Sequence, residues 1–300
     1  MGRPKISVIT PSLNQGRFIE RTICSVLDQG YENLEYVVVD GGSTDNTIDI
    51  LRLYDQDLAW WTCSPDSGPA EAINQALKKV TGDIVAILAS DDIYLPGTLD
   101  TVARTIGDGD VPWMVGHVSV INEDDLELGS NETASPKSLG GFLKHDSGYL
   151  PLAASFFDRR VFDRFGAFDE SMEFAFDYEH SCRLLAFDTS AQVLGRVLAA
   201  RREHPGSKSA MYTVQQGLEF ISAARRYANH LPIADRYALW RNCDQREKIY
   251  ALAQAEMKSD ASRRFIWSKV LKHPWWLTDM KMRHILVHGV DHPLPIGMAA

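Results

Sequence analysis

The chain has 300 residues, 45% of them hydrophobic and 24% charged, which supplies a sizeable core and argues against a disordered or fibrous chain. Its 40 acidic residues outnumber 31 basic ones, for a net charge of −9, and this argues against a nucleic-acid partner gripped by phosphate neutralisation. The charge is unevenly spread: residues 1–200 hold 15 basic and 31 acidic side chains, residues 201–300 hold 16 and 9, so two parts with different tasks are expected.

Ile6 to Thr10 is a β-branched run closed by Pro11, and Phe18, Ile19, Thr22, Ile23, Val26 and Leu27 then recur at helical spacing. Tyr36 to Val39 reads as a second strand ending at Asp40. The turn Gly41-Gly42-Ser43-Thr44-Asp45 leads into a helix from Thr47 to Tyr54, with Asp45 as its cap. A third strand spans Ala59 to Cys63, and a helix from Ala70 to Val80 follows Pro65-Asp66-Ser67-Gly68-Pro69. Ile84 to Leu88 is a fourth strand that stops at Ser90-Asp91-Asp92, before a helix from Pro96 to Ile106 and a strand from Met114 to Asn122. Glu123 to Lys137 reads as a surface loop. Beyond Pro205 only helices are expected, at about Met211–Asn229, Ile233–Met257 and Ala261–Lys272.

Strands apolar on both sides and alternating with helices predict a mostly parallel open sheet flanked by helices, with ligands beyond the carboxyl ends of the strands. Asp40, Asp66, Asp91 and Asp92 all fall at such ends. Carboxylates gathered on one rim repel one another unless a cation or hydrogen-bond donors compensate them. An Asp pair after a strand therefore invites Mg²⁺ or Mn²⁺, held by one or two carboxylates with phosphate oxygens and water, although the same pair also caps helices.

Cys24, Cys63, Cys182 and Cys243 are widely separated without metal-site spacing, which points to buried free thiols and a cytoplasmic protein. The N-terminal apolar run is too short for a signal segment and no apolar stretch is long enough to span a bilayer, so neither export nor membrane crossing is expected.

Taken together and in order, ISVITPSLNQ, VVVDGGSTDNT, SPDSGPAEAINQAL and TGDIVAILASDDIYLPGTL resemble glycosyltransferase family 2, the inverting nucleotide-sugar enzymes of GT-A fold. Phe165 to Glu170 followed by Phe176-Asp177-Tyr178-Glu179 and Arg183 is similar to the family's acceptor-side segment, and Arg202 to Ser209 to its late His motif. The resemblance runs from about Lys5 to Ser209 and leaves the helical end outside it. It implies a GT-A (Rossmann-like) catalytic domain over 1–209 and a helical region over 210–300 that offers acceptor, membrane-surface or oligomer contacts.

The resemblance also implies roles. Asp40 would accept a hydrogen bond from the imino N–H of uracil or thymine, with a turn acid as the alternative. Thr10 and Pro11 would set backbone against the base. Asp66 would line the nucleoside pocket or form an Asx-turn, and Asn74 would reach sugar or phosphate or stand as a partly exposed helix residue. Asp91 would approach ribose or donor sugar, while Asp92 and His204 hold the Mn²⁺ or Mg²⁺ that bridges the diphosphate. Arg201, Arg202 and Lys208 make the His204 loop cationic, or are simply solvated.

Asp177 is the candidate general base, Glu179 the alternative, and a helix N-terminal acid accounts for either residue structurally. The implied partners are a nucleoside diphosphate sugar, UDP-linked in preference to dTDP or GDP, and a glycan or glycolipid hydroxyl. Trp275-Trp276, near Lys272, Lys281 and Arg283, fit either a peripheral membrane contact or packing of the C-terminal helices. Two rivals are a nucleotidyltransferase, for which Ser12 to Arg17 makes a poor phosphate loop, and a non-catalytic scaffold subunit, for which Asp40, Asp92, Asp177 and His204 together are superfluous.

Overall fold

Strand β1 (Ile6–Ser12) lies at the centre of the predicted parallel array, flanked by β2 (Leu34–Asp40) and β4 (Ile84–Ile87), with β3 (Trp60–Cys63) beyond β2. The computed structural model describes residues 2–107, 111–133, 138–144, 150–207, 214–257 and 262–288. It divides into two units, Met1–Met211 and Tyr212–Ala300.

Within the first unit, helices α1 (Ile19–Leu27), α2 (Thr47–Leu53) and α3 (Pro69–Leu77) alternate with these strands. Helix α1 buries Ile19, Thr22, Ile23 and Val26, a stripe at three- and four-residue spacing. The cap position of α2 is Asn46, whose side chain makes no cap bond, rather than the expected Asp45; Asp45, one residue earlier, accepts the Thr47 N–H at 3.0 Å in an Asx turn. The chain continues through β5 (Ile93–Tyr94), α4 (Thr98–Gly107), β6 (Trp113–Ile121), β7 (Glu127–Asn131), α5 (Leu139–Lys144), β8 (Ser155–Asp158), α6 (Arg160–Phe165), α7 (Phe176–Ala186) and β9 (Gln192–Arg202). The stretch expected as a plain surface loop thus contains β7, whose five residues are all exposed and carry no apolar signal.

The nine strands form one sheet in the order β3-β2-β1-β4-β8-β6-β9-β5, with β7 paired to the later half of β6, opposite β9. β1 pairs in parallel with β2 and β4, β2 with β3, and β6 with β9, while β8 is antiparallel to both β4 and β6. Two reversals restore the original direction, so β1, β2, β3, β4, β6 and β9 all point the same way and the sheet is mostly parallel as expected. Their carboxyl ends share one rim, and the chain reverses its order of strand addition at β1 and β4, where ligands of such sheets bind. Ile6, Val8, Ile19, Ile23, Val38, Ala86, Met114 and Phe156 are fully enclosed in the core beneath.

The second unit consists of α8 (Val214–Arg226), α9 (Ile233–Met257), α10 (Ser262–Val270), a 3₁₀ turn at Pro274–Thr278 and α11 (Met280–His288). Ala251, Ile266, Val270, Trp276, Met282, Ile285 and Leu286 make its core. The packing alternative therefore holds for Trp276, whereas Trp275 stays 43% exposed. Among the described residues no helix is long and apolar enough to cross a membrane. The four thiols are all free, but only Cys182 and Cys243 are buried; Cys63 is exposed and Cys24 half-buried, because both precede polar turns or helix surface rather than core.

Candidate active site

Register places Ser12 beside Asp40 and Asp40 beside Cys63 at the ends of β1, β2 and β3. Asp40 is enclosed. Its Oδ1 accepts from the N–H groups of Gly42 and Ser43 at 3.0 and 2.7 Å, and its Oδ2 from Ser43 Oγ at 2.5 Å. A carboxylate offers about four acceptor directions; its own turn takes three, and the neighbouring Cys63 thiol hydrogen-bonds the same carboxyl, so that burial, and then this contact, raise the pKa of that thiol. Asn14, at φ +53°, donates its N–H to Ser43 Oγ at 2.6 Å and accepts the Thr44 N–H on its side-chain oxygen at 2.8 Å, fastening the loops after β1 and β2 together.

Thr10 faces inward, its hydroxyl 3.1 Å from that of Tyr36, while Pro11 is half-buried at the rim. Asp66 accepts the Gly68 N–H at 3.0 Å, the Asx-turn of the two alternatives, and lies so close to Gly41 that a Cβ there would meet its Oδ2 at 2.9 Å. The Asp40 and Asp66 turns are consequently in direct contact, and Gly41 is required by that approach.

The next cluster forms where β5 runs antiparallel to β9, with Ile93 opposite Ala200. This register carries Asp91 and Asp92 to the end of β9. Asp92 is buried and its Oδ1 accepts the Arg202 N–H at 2.9 Å. Burial, and then repulsion from Asp91, push the Asp92 carboxyl well above the usual carboxylate range, against the pull of the Arg202 N–H and of the Arg201 and Arg202 charges.

His204 Nε2 lies 3.1 Å from Asp91 Oδ2, and its ring packs 4.7 Å from that of Phe18. Arg202 lies beneath them, fully buried, with Nε donating to Asp91 O and Nη1 to Asn122 O, both at 2.8 Å, and Nη1 paired with Asp125 at 2.5 Å. The expectation of a solvated, cationic loop fails for Arg202, whose charge is internal; Arg201 pairs with Glu203 at 2.6 Å. Lys208 lies outside the described residues.

Two carboxylates and an imidazole are suitable donors for Mn²⁺ or Mg²⁺. The 3.1 Å between Asp91 and His204 is about the separation of neighbouring ligands on an ion with bonds near 2.1 Å. Among the described residues no three His, Cys, Asp or Glu side chains are placed together to hold a metal ion, so a cation here would need phosphate or water for most of its ligands.

Two expectations are corrected on the acceptor side. Asn74 is buried rather than presented to a ligand. Its amide nitrogen donates to Phe168 O and Glu170 Oε1, both at 2.9 Å, and its oxygen accepts the Phe168 N–H at 3.0 Å, pinning this segment to α3. Glu179 is enclosed and ion-paired with Arg183, whose Nη1 donates to Phe165 O and Ala167 O at 2.8 Å; it holds that turn and is not placed as a base.

Asp177, in the same first turn of α7, is half-buried, with Oδ1 accepting the Tyr178 N–H at 2.7 Å. Burial raises its pKa to about 6, close to what a general base working near neutrality needs. The sequence reading missed Arg202 as an internal cation and Phe18 as the platform for His204; the one available signal was the adjacency of Arg202 to the His motif.

A family model described as Glycosyl transferase family 2 matches residues 7–166, more than half of the chain, and ends before Asp177 and His204. An uncharacterised glycosyltransferase of Mycobacterium tuberculosis (strain ATCC 25618 / H37Rv) is 32% identical over 256 residues, 75% of this chain and 95% of that one. An uncharacterised glycosyltransferase of Nostoc sp. (strain PCC 7120) is 34% identical over 136 residues, 44% of this chain and 42% of the relative. UDP-Glc:alpha-D-GlcNAc-diphosphoundecaprenol beta-1,3-glucosyltransferase WfgD of Escherichia coli is 34% identical over 122 residues, 40% of this chain and 48% of that one. The matched region is thus less than half the length of the last two.

Among solved structures, S. aureus TarS 1-349 in complex with UDP-GlcNAc matches with a TM-score of 0.65 at 19% identity, over 96% of this chain and 88% of that one. Mannosyltransferase PcManGT from Pyrobaculum calidifontis, in complex with GDP-Man and Mn²⁺, matches with a TM-score of 0.61 at 18% identity, over 97% and 88%. These likenesses give the fold, GT-A. With that architecture and the length of the family match, this chain belongs to glycosyl transferase family 2 and is an enzyme of the glycosyltransferase type.

Proposed function

We propose that the enzyme moves a sugar from a nucleoside diphosphate sugar, UDP-linked in preference to dTDP or GDP, to a hydroxyl of a glycan or glycolipid, inverting the anomeric centre. The observation that carries this reading is the convergence of Asp91, Asp92 and His204, from two distant segments, over the buried Arg202. Partners named for the relatives support it: UDP-Glc and a diphosphoundecaprenol-linked acceptor, UDP-GlcNAc, and GDP-Man with Mn²⁺.

The turns of Asp40 and Asp66, with Thr10 and Pro11, are assigned to the nucleoside, and the Asp40 carboxyl to the imino N–H of the base, which would displace one of its present donors. Asp92 and His204 are assigned to a divalent cation as expected, and Asp91, expected at the ribose or donor sugar, is assigned to it as well because its carboxylate is the one that meets His204. Bound there, Mn²⁺ or Mg²⁺ would stabilise the charge on the departing diphosphate.

Asp177 takes the proton of the acceptor hydroxyl as its oxygen bonds to the anomeric carbon from the side opposite the diphosphate, whose bond to that carbon breaks. The proton stays on the Asp177 carboxyl until solvent removes it. Residues 1–209 are assigned as the catalytic domain, since every proposed site residue falls within them. Calorimetric titration of UDP with and without Mn²⁺ tests the cation site: affinity should rise with metal in the wild type and lose that dependence in His204→Ala. Equal metal dependence in both would remove His204 from the assignment.

A further inference from the structure

Among the described side chains of Tyr212–Ala300, every exposed charge is positive: Arg226, Arg236, Arg241, Arg264, Lys272 and Arg283. The acids Glu219, Asp235, Asp244, Glu247 and Asp279 are all half-buried. Glu247 pairs with Arg225 and Asp279 with Lys248, each at 2.7 Å. Asp244 accepts the indole N–H groups of Trp275 and Trp276 at 2.9 and 3.0 Å. Among the described side chains, Asp244, Glu247 and Asp279 thus serve internal contacts, and the exposed charges are of one sign.

The same unit exposes large apolar side chains. Ile233, Tyr237 and Trp240 recur along one face of α9 at 82%, 62% and 42% exposure, and Leu271 stands at 78% beside Lys272. Tyr237 stacks on Trp240 at 6.2 Å between centroids, and Trp240 meets Trp275 at 5.4 Å, joining the helix face to the Pro274–Thr278 turn. Trp275 has its N–H satisfied internally by Asp244 while much of its ring remains at the surface.

We propose that this surface docks the enzyme on an anionic lipid bilayer. Aromatic rings and aliphatic side chains interleaved with cations are what a headgroup and acyl boundary accepts. A glycan would use the rings but not Ile233 or Leu271. A second copy meeting this patch across a two-fold axis would set cation against cation, since such an interface pairs the same surface with itself.

Co-sedimentation of the full chain with phosphatidylglycerol–phosphatidylcholine vesicles, against phosphatidylcholine alone, tests the proposal without donor or turnover. The wild type should sediment with the anionic vesicles and be released as salt shortens the Debye length to about 3 Å. Leu271→Glu combined with Lys272→Glu should lower partitioning by about tenfold or more, with UDP affinity and melting temperature unchanged; Trp275 is left in place because it holds Asp244. Wild-type protein that stays in the supernatant, or a double variant that sediments like wild type, would overturn it. So would a dimer seen by light scattering that the double variant dissociates, since the face would then belong to a second copy.

Discussion

Asp177 and Glu179 stand two residues apart in one helical turn, and their surroundings give them opposite work. Glu179 is enclosed against Arg183, whereas Asp177 accepts the Tyr178 N–H and burial raises its pKa to about 6. Its basic form is lost as pH falls through that value. kcat/KM should therefore drop about tenfold per unit below pH 6 and level off above it; a profile flat from pH 7 to 5 would rule out this base. Asn74→Ala removes three hydrogen bonds that tie α3 to Phe168 and Glu170. It should cost about 1 to 3 kcal/mol in chemical denaturation while UDP binds as before. Neither Asn74 nor Glu179 could be assigned from local sequence. The Asn74 partners lie 94 and 96 residues away, and Glu179 is decided by burial that a helix-start acid does not announce.

Strands β1, β2 and β4 were legible because they are continuous apolar runs that end in turn residues, and burial on both faces demands such a pattern. β7 was not, since all five of its residues are exposed, and β9 opens with exposed Gln192 and half-buried positions before its buried stretch from Leu198 to Ala200. The rim was legible as a row of strand-end acids. The convergence of Asp91 on His204 was not, because it depends on the antiparallel β5–β9 pairing.

The elements at the start of the sheet are also tied by Glu35, which receives Ser7 Oγ, the Thr81 N–H and Lys5 Nζ at 2.5, 2.7 and 2.9 Å. Burial opposes its charge, but these donors outweigh burial and hold its pKa down to about 2, from 4.5. A depressed carboxylate stabilises the fold above its unfolded pKa and loses that contribution as pH falls toward the folded value. About 3 kcal/mol should disappear between pH 4.5 and 2, read from urea midpoints. Glu35→Gln should flatten this part of the pH dependence; an unchanged slope would contradict the assignment.

At the scale of the molecule, the surplus of acid resolves into two units: Met1–Met211 carries 18 basic and 32 acidic side chains, Tyr212–Ala300 carries 13 and 8. The negative charge of the first does not forbid an anionic donor under the proposed reading, in which a cation held by Asp91, Asp92 and His204 would lie between protein and diphosphate. What the acidic first unit still argues against is a nucleic-acid polymer gripped by phosphate neutralisation. The proposed division of labour, donor at the Asp91, Asp92 and His204 cluster and proton removal at Asp177, is tested most directly by one variant measured two ways. With Mn²⁺ present, Asp177→Asn should bind UDP within about twofold of wild type while transfer to acceptor falls by about 10² to 10⁴. Transfer at a nearly wild-type rate would contradict the account.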